Sequence, residues 1–597
     1  RGTWHMQKRV GMGWRAQIVD FNGQWDGALL DPDKDAKAPT AIAGVTPPMG
    51  SFLDSMKMEH KFLLAAIVLI VGAGGVVILS FIIFGPNGKI NVWSKQKYIP
   101  SQYRAQHNKM IKDLSKPAKA GSLPLGQRCE WKPWTFWATK DLAIPPEIRR
   151  TDPHMLLLGA GDKGKTRLMA RMIAHDIESN DRAVVMIDSD GGLSDLIVRW
   201  ISHHAKGKEF AKRVILLDPT YKGTSLGYNP LEMPEDEDLQ SASSSLVYGF
   251  KAIYTEPPGA QSQWNQQTAN ILRNAAMLLM VNGKTLTDLP TLLNDNDFRD
   301  VLLEAVEKKK KEKAEYITLL DTWGQYKRLA RTDQWINWVE PILNRVGPML
   351  SDARIRSILT KPVGDIRLKK LIEEKKILIV KVPKGQLDQN ANLLGSLIVT
   401  GVKQAALSLA NDRSPKQHPV ALYLDEFDNF IEKDTIETIT QETDKFKIGF
   451  IGCIKTLQHL PQDFQQQLVI AFGTLACFAL AKKDGDLLGP QMFRVDGRKI
   501  KHQTIQNFFN KVNTSPQFEL ISDEEKLNID RVVGQESRTF FCYRVGTVAG
   551  VFHLKSHDFN DIPDTQINKK LIDKMHANSQ TVNKEKQAKP QTEDETT

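Results

Sequence analysis

Residues 159–166 read Gly-Ala-Gly-Asp-Lys-Gly-Lys-Thr, and no other stretch constrains this chain as much. They follow a short apolar run, Met155–Leu158, and open a helical pattern over residues 167–177. Strand, glycine-rich turn and helix, with Lys-Thr closing the turn, is the arrangement of a Walker A phosphate loop. The glycines let backbone N–H groups converge on a polyphosphate, and the helix N-terminus adds the positive end of its dipole. Lys165 is placed to reach the β- and γ-phosphates of ATP, and the Thr166 hydroxyl to hold Mg²⁺. The nucleotide-binding residues expected here are Gly159, Ala160, Gly161, Asp162, Lys163, Gly164, Lys165, Thr166 and the Arg167 that follows, with Lys165 also catalytic. The bland alternative is a plain glycine turn with this spacing by chance; the strand before it argues against that.

Around this loop, short apolar runs alternate with helical stretches. Met155–Leu158, Ala183–Asp188 and residues 214–218 come first; residues 377–382, 420–425, 448–454 and 474–481 follow a break. Such alternation predicts an α/β fold, a mostly parallel sheet covered on both faces. Residues 420–426 read VALYLDE, an apolar strand delivering two carboxylates, which is a Walker B pattern. Asp425 is expected in the Mg²⁺ shell, and Glu426 as the catalytic group that polarises the attacking water. Alone, an Asp-Glu pair after a strand is a weak signal; downstream of a phosphate loop it gains weight. Asp188 and Asp218 also end strands, where open α/β sheets place ligands, or they cap the turns that follow. The break, residues 236–365, has helical period and predicts an all-α insertion. Its four lysines at 308–311 either bind phosphates or, flanked by Glu307 and Glu312, form a solvated helix face.

At 597 residues the chain calls for more than one domain. Lys and Arg outnumber Asp and Glu by 80 to 70, a mild excess that permits an anionic partner such as nucleic acid or lipid without demanding one. Cys129, Cys453, Cys477 and Cys542 show no metal-ligand spacing and read as reduced thiols. Residues 62–84 carry no charge over 23 positions, enough helix to cross a hydrocarbon layer about 30 Å thick. That is too long for the apolar part of a signal peptide, at about 7–15 residues; a buried soluble helix is the other reading. Lys89, Lys95, Lys97, Arg104, Lys109, Lys112, Lys116 and Lys119 follow against Asp113, which puts the C-terminal side in the cytoplasm. Trp131, Trp134, Phe136 and Trp137 form either a packing corner or a base-stacking surface. The expected organisation is thus an N-terminal segment of unassigned role (1–60, with a linker over 36–50), a transmembrane helix (61–85), a basic juxtamembrane linker (86–130), the first part of the P-loop domain (131–235), the insertion (236–365), the second part with the Walker B strand (366–560), and a polar disordered tail (561–597).

This order of elements resembles the type IV secretion coupling proteins, the TraG/TraD-like conjugation ATPases, and their HerA/FtsK relatives. Further strings carry the resemblance over about residues 130–560: His154 before the first strand; Asp188-Ser189-Asp190-Gly191-Gly192-Leu193; Asp218-Pro219 with Asn229-Pro230-Leu231; Pro383-Lys384-Gly385 with Leu393-Leu394-Gly395; and Leu424-Asp425-Glu426-Phe427. The resemblance implies a RecA-like P-loop fold and a homo-hexameric ATPase. It implies a single-pass protein of the bacterial inner membrane with a large cytoplasmic domain. Its partners would be DNA, single- or double-stranded, a relaxase and the channel components. Four places depart from the family pattern, one of them Gly192, where the family usually carries a carboxylate. Gly161-Asp162 stands for a Thr-Gly pair in the loop, Asp444-Lys445 for an Arg-Lys pair whose Arg acts as a finger on the γ-phosphate, and Lys455 for a sensor Gln, with Gln458 three residues on. Two other functions fit the sequence: a nucleotide-binding receptor or scaffold of the channel with little hydrolysis, and a HerA/FtsK-like DNA translocase outside secretion.

Overall fold

The structure, a computed structural model, describes residues 4–10, 13–19, 25–30 and 99–581, apart from 116–118, 130–140, 222–225, 233–237, 252–264, 330–331, 412–413, 432, 496–499, 504–515, 519–520 and 548–549. The apolar stretch at 62–84, the linker at 36–50 and the Trp131, Trp134, Phe136, Trp137 cluster lie outside the described residues. The chain divides into two units, Arg1–Trp93 and Ser94–Thr597. In the first, β1 (Trp4–Val10), β2 (Gly13–Val19) and β3 (Trp25–Leu30) pair as an antiparallel meander, where the sequence showed no clear period.

The second unit is built on an eleven-stranded sheet. In chain order its strands are β4 (Leu123–Arg128), β5 (Asp141–Ile144), β6 (Met155–Leu158), β7 (Ala183–Asp188), β8 (Val214–Leu217), β9 (Ile377–Lys381), β10 (Val420–Leu424), β11 (Ile448–Ile454) and β12 (Thr474–Cys477). After a separate hairpin of β13 (Ile500–Gln503) and β14 (Pro516–Phe518) come β15 (Thr539–Arg544) and β16 (Val551–Lys555). The spatial order is β5-β4-β16-β15-β12-β6-β11-β10-β7-β9-β8. From β12 to β8 all neighbours are parallel, while β15, β16, β4 and β5 extend the sheet antiparallel.

The parallel strands are apolar at nearly every position, polar residues such as Asp188, Lys381 and Thr474 standing at their ends, because both faces are covered. Val184 and Met186 of β7 face a core that contains Leu168, Met172 and Ile173 of the helix Lys165–Ser179. Val185 and Ile187 face the other core, with Leu394, Leu397 and Ile398 of the helix Gln389–Asn411. That helix is the one among the described residues long and apolar enough to cross a membrane, and its most apolar window is 72% buried in the fold.

Between residues 238 and 365 the described residues form helices and turns, with no strand among them. Leu239–Lys251, Gln266–Val281, Asn296–Lys309, Ala314–Leu329 and Asp333–Ser351 are the main helices. They do not enclose a core of their own: Phe250, Leu272, Trp323 and Ile342 share one continuous cluster with the sheet face and Gln389–Asn411. Lys308 and Lys309 end the helix Asn296–Lys309 and Lys310 and Lys311 follow it, all exposed, with Lys310 paired to Glu307, which is the solvated-face arrangement.

Two boundaries differ from the sequence reading. The stretch read as a basic linker contains the helix Arg104–Leu114, which buries His107, Ile111 and Leu114, and strand β4 of the main sheet. Those three positions have the i, i+4, i+7 spacing of an apolar stripe, hidden by the lysines between them. The chain beyond residue 560, read as a polar tail, forms the helix Lys569–Thr581, and Leu571 and Met575 are buried one turn apart beside the edge strand β8 and the helix Gly207–Arg213. On the same face of the sheet, Arg149 holds Asp176 through two 2.6 Å bonds, and the Tyr423 hydroxyl donates to the same carboxylate at 2.6 Å.

Candidate active site

Parallel strands deliver their C-terminal ends to one edge of a sheet, and that edge carries the phosphate loop after β6, Asp188 after β7, Asp218 after β8, Lys384 after β9, Asp425 and Glu426 after β10 and Lys455 after β11. From β6 the chain enters the phosphate loop. Gly159 has φ +148°, and a Cβ there would stand 2.8 Å from the Cβ of Phe478. Gly164 has φ +104° and packs on Arg538, whose N–H donates to the Lys163 carbonyl at 2.8 Å. Both positions therefore demand glycine. The helix Lys165–Ser179 starts directly after the loop. Lys165 is buried, with Nζ donating to the carbonyls of Gly159 and Ala160 at 2.6 Å each. Thr166 is half-buried in the first turn. Gly161 and Asp162 are exposed at the tip, and Asp162 takes φ +55°. That left-handed position explains why a glycine suits the resembling pattern there, and Asp is among the few side chains that tolerate it.

One strand away from β6, across β11, β10 ends in Asp425 and Glu426. Asp425 is buried; burial first, then the charges of Asp188, Glu426 and Asp190, push its carboxyl up to about 6, partly offset by the Cys453 thiol. Asp188 does not point outward as a ligand. It accepts from the N–H groups of Asp190, Gly191 and Ser194 at 3.1, 2.9 and 2.6 Å, capping the turn after β7. Asp218 likewise closes its own turn through Thr220, at 2.9 and 2.6 Å.

Glu426 stands at φ +52° and is the focus of three neighbours. Lys455, directly after β11, pairs with Oε1; Lys384, after β9, lies 3.7 Å from Oε2; and the Ser189 hydroxyl, after β7, donates to Oε2 at 3.3 Å. Burial opposes the charge of Glu426, but the Lys455 bond and the two lysine charges outweigh it and hold the carboxyl below its ordinary value. Lys384 and Ser189 were visible only as parts of larger strings, and nothing in their spacing marks them as partners of Glu426.

Other expected residues go elsewhere. Arg167 turns from the loop to the C-terminal segment, donating to the Phe559 carbonyl at 2.6 Å and pairing with Asp561 at 2.7 Å. Gln458 reaches the buried Asp484 at 3.2 Å, whereas Lys455 turns to Glu426. Lys445 precedes β11, whose seven residues separate it from the loop edge by roughly 23 Å. It pairs with Glu442 at 3.6 Å. Asn229 binds the Pro362 carbonyl at 2.8 Å and serves the insertion boundary.

Neither a protein-family profile nor a curated protein matches the chain. Among solved structures it is similar to the bacterial conjugative coupling protein TrwB in its unbound form, at 15% identity over 76% of this chain and 93% of that one, with a TM-score of 0.49. TrwB in complex with ADP and Mg²⁺ gives 16% identity over 75% of this chain and 97% of that one, with a TM-score of 0.48. VirB4 of Thermoanaerobacter pseudethanolicus gives 12% identity over 75% and 98%, with a TM-score of 0.42.

Proposed function

We propose that this chain is a membrane-anchored P-loop motor that binds ATP with Mg²⁺ and couples DNA or a nucleoprotein to a type IV secretion channel. The observation that carries the nucleotide reading is the convergence, at one sheet edge, of a glycine-shaped loop, a buried Lys165 held over its root, and the strand-end carboxylates Asp425 and Glu426. Lys165 Nζ would exchange the Gly159 and Ala160 carbonyls for phosphate oxygens, and Glu426 would orient the attacking water. Among the described residues no three His, Cys, Asp or Glu side chains cluster as a metal site. The donor set therefore suits a cation that arrives with the nucleotide, held by Thr166 and through water by Asp425. There Mg²⁺ would neutralise the like charges around Asp425 and those of the phosphates.

The remaining parts of the reading draw on the motif order, the apolar run at 62–84 and its basic flank. A homo-hexameric ring fits the placing of Lys445, which is far from its own loop and could act only on a neighbouring copy. A second reading, a nucleotide-binding receptor with little turnover, is favoured by one observation: Glu426 is tied to Lys455 rather than open to water.

The test is nucleotide binding and hydrolysis by the detergent-solubilised full chain, with and without single- and double-stranded DNA, beside Lys165→Ala. DNA-stimulated turnover that Lys165→Ala abolishes supports the motor. Binding that is lost in Lys165→Ala, with no turnover in an assembled sample, leaves the receptor. No binding at all sinks both.

A further inference from the structure

Resting on the nucleotide-site reading above, we propose that Lys455 supplies, from within the same chain, the positive charge that engages the terminal phosphate of a nucleoside triphosphate, and that its pair with Glu426 is the alternative state of the same side chain. The register of the sheet puts Lys455 at the loop. Ile454 is paired with Leu158 across β11 and β6, and the Gly159 N–H donates to the Ile454 carbonyl at 3.3 Å. Lys455 and Gly159 therefore leave the sheet side by side, with Lys165 Nζ 2.6 Å from the Gly159 carbonyl. Two lysines flank the root of the loop, one buried within it and one at its rim.

The pair is built to exchange. The Lys455 side chain is 53% exposed, while that of Glu426 is 15% exposed, so the lysine is the partner free to swing. Its departure does not strand a carboxylate, because Ser189 Oγ at 3.3 Å and Lys384 Nζ at 3.7 Å remain on Oε2. Oε1, which Lys455 occupies, is the oxygen that the exchange uncovers. A terminal phosphate offers three charged oxygens to an ammonium group, against two on a carboxylate already shared with other donors. The exchange therefore does two things at once: it places a cation on the phosphate, and it opens Glu426 to water. A diphosphate lacks the terminal group and leaves the pair in place, so Lys455 becomes a determinant of triphosphate over diphosphate. No covalent bond changes in this step.

Calorimetric titration of the full chain with Mg²⁺–AMP-PNP and with Mg²⁺–ADP tests this, with Lys165→Ala as the control for the loop. Lys455→Gln is expected to weaken AMP-PNP binding about tenfold, the scale of one charge-assisted contact, and ADP binding by less than about twofold. Glu426→Gln removes the anion that holds Lys455, and is expected to tighten AMP-PNP binding several-fold in the parent chain but not in the Lys455→Gln background. Equal effects of Lys455→Gln on both nucleotides, or no effect on either, would overturn the proposal. Should Lys455→Gln fail to fold, an unchanged AMP-PNP affinity in Glu426→Gln overturns it alone. A parent chain that binds neither nucleotide removes the site reading itself, and this role with it; binding that survives in the parent and disappears in Lys165→Ala, with Lys455 without effect, removes only this role.

Discussion

Arg149 donates both terminal guanidinium nitrogens to the carboxylate of Asp176, at 2.6 Å each, with the two side chains 2% and 0% exposed. The pair joins the helix Pro146–Thr151 to the phosphate-loop helix, and Tyr423 ties both to β10, the strand that ends in Asp425. The frame that positions the loop against the carboxylates thus runs through one buried charge pair.

Removing Arg149 leaves the buried Asp176 charge with only the more distant Arg182, at 3.7 Å, and the Tyr423 hydroxyl. Arg149→Met is expected to lower stability by about 3–5 kcal/mol at neutral pH, measured by urea unfolding. Adding Asp176→Leu to Arg149→Met removes the stranded charge as well, and is expected to recover much of that loss. Burial pushes Asp176 up, but Arg149, Arg182 and Tyr423 outweigh it and hold its carboxyl below the ordinary range. A depressed carboxyl stabilises the fold above the unfolded value, about pH 4, and that contribution disappears as pH falls through the folded value. The gap between parent and Arg149→Met should therefore close in acid.

His154 has the opposite sensitivity. Burial lowers its imidazole to about 4, and its Nδ1 accepts from the Phe450 N–H at 3.2 Å, which requires the neutral ring. Between the unfolded value near 6.5 and about 4 the unfolded chain binds a proton that the folded one refuses, so stability falls as pH drops through this window, by about 3 kcal/mol in all. His154→Asn keeps an acceptor without titrating, and its melting temperature should change less between pH 6.5 and 4 than that of the parent.

Asp162 combines a left-handed backbone with an exposed carboxylate at the tip of the phosphate loop. Asp162→Gly removes backbone strain of about 1 kcal/mol but adds unfolded-chain entropy of similar size, so stability should barely move. Nucleotide affinity should rise about fivefold through loss of a like charge, most clearly at low salt. An affinity unchanged by the substitution and by salt would show that the carboxylate faces away from the phosphates.

The C-terminal helix is held by buried Leu571 and Met575 and approached by two surface pairs, Arg167–Asp561 and Arg199–Asp564, at 2.7 Å each. Met575→Ala is expected to cost about 2–4 kcal/mol, whereas Asp564→Asn should cost under about 1 kcal/mol. Proteolysis near residue 568 should accelerate in the first variant and not in the second.

What the sequence determined by itself is the local chemistry. A phosphate loop is a contiguous string, its glycines answer to their own backbone angles, and strands buried on both faces are apolar along nearly their whole length; Gly159, Gly164, Lys165 and the seven parallel strands were legible for that reason. β4, with Pro124, Gly126, Gln127 and Arg128, has no such pattern, because an antiparallel strand near the sheet edge is chosen by its neighbours rather than by its own residues. The helix Arg104–Leu114 and the helix Lys569–Thr581 were masked by their solvent-facing charges, which stand between buried side chains such as Ile111 and Leu114 in the first and Leu571 and Met575 in the second. Only the tertiary structure decided what surrounds Glu426. Ser189, Lys384 and Lys455 follow β7, β9 and β11, and their meeting depends on the order and register of strands far apart in the chain. Pairing register is a collective property of a packed sheet, set by which side chains fill which face, and no single segment carries it.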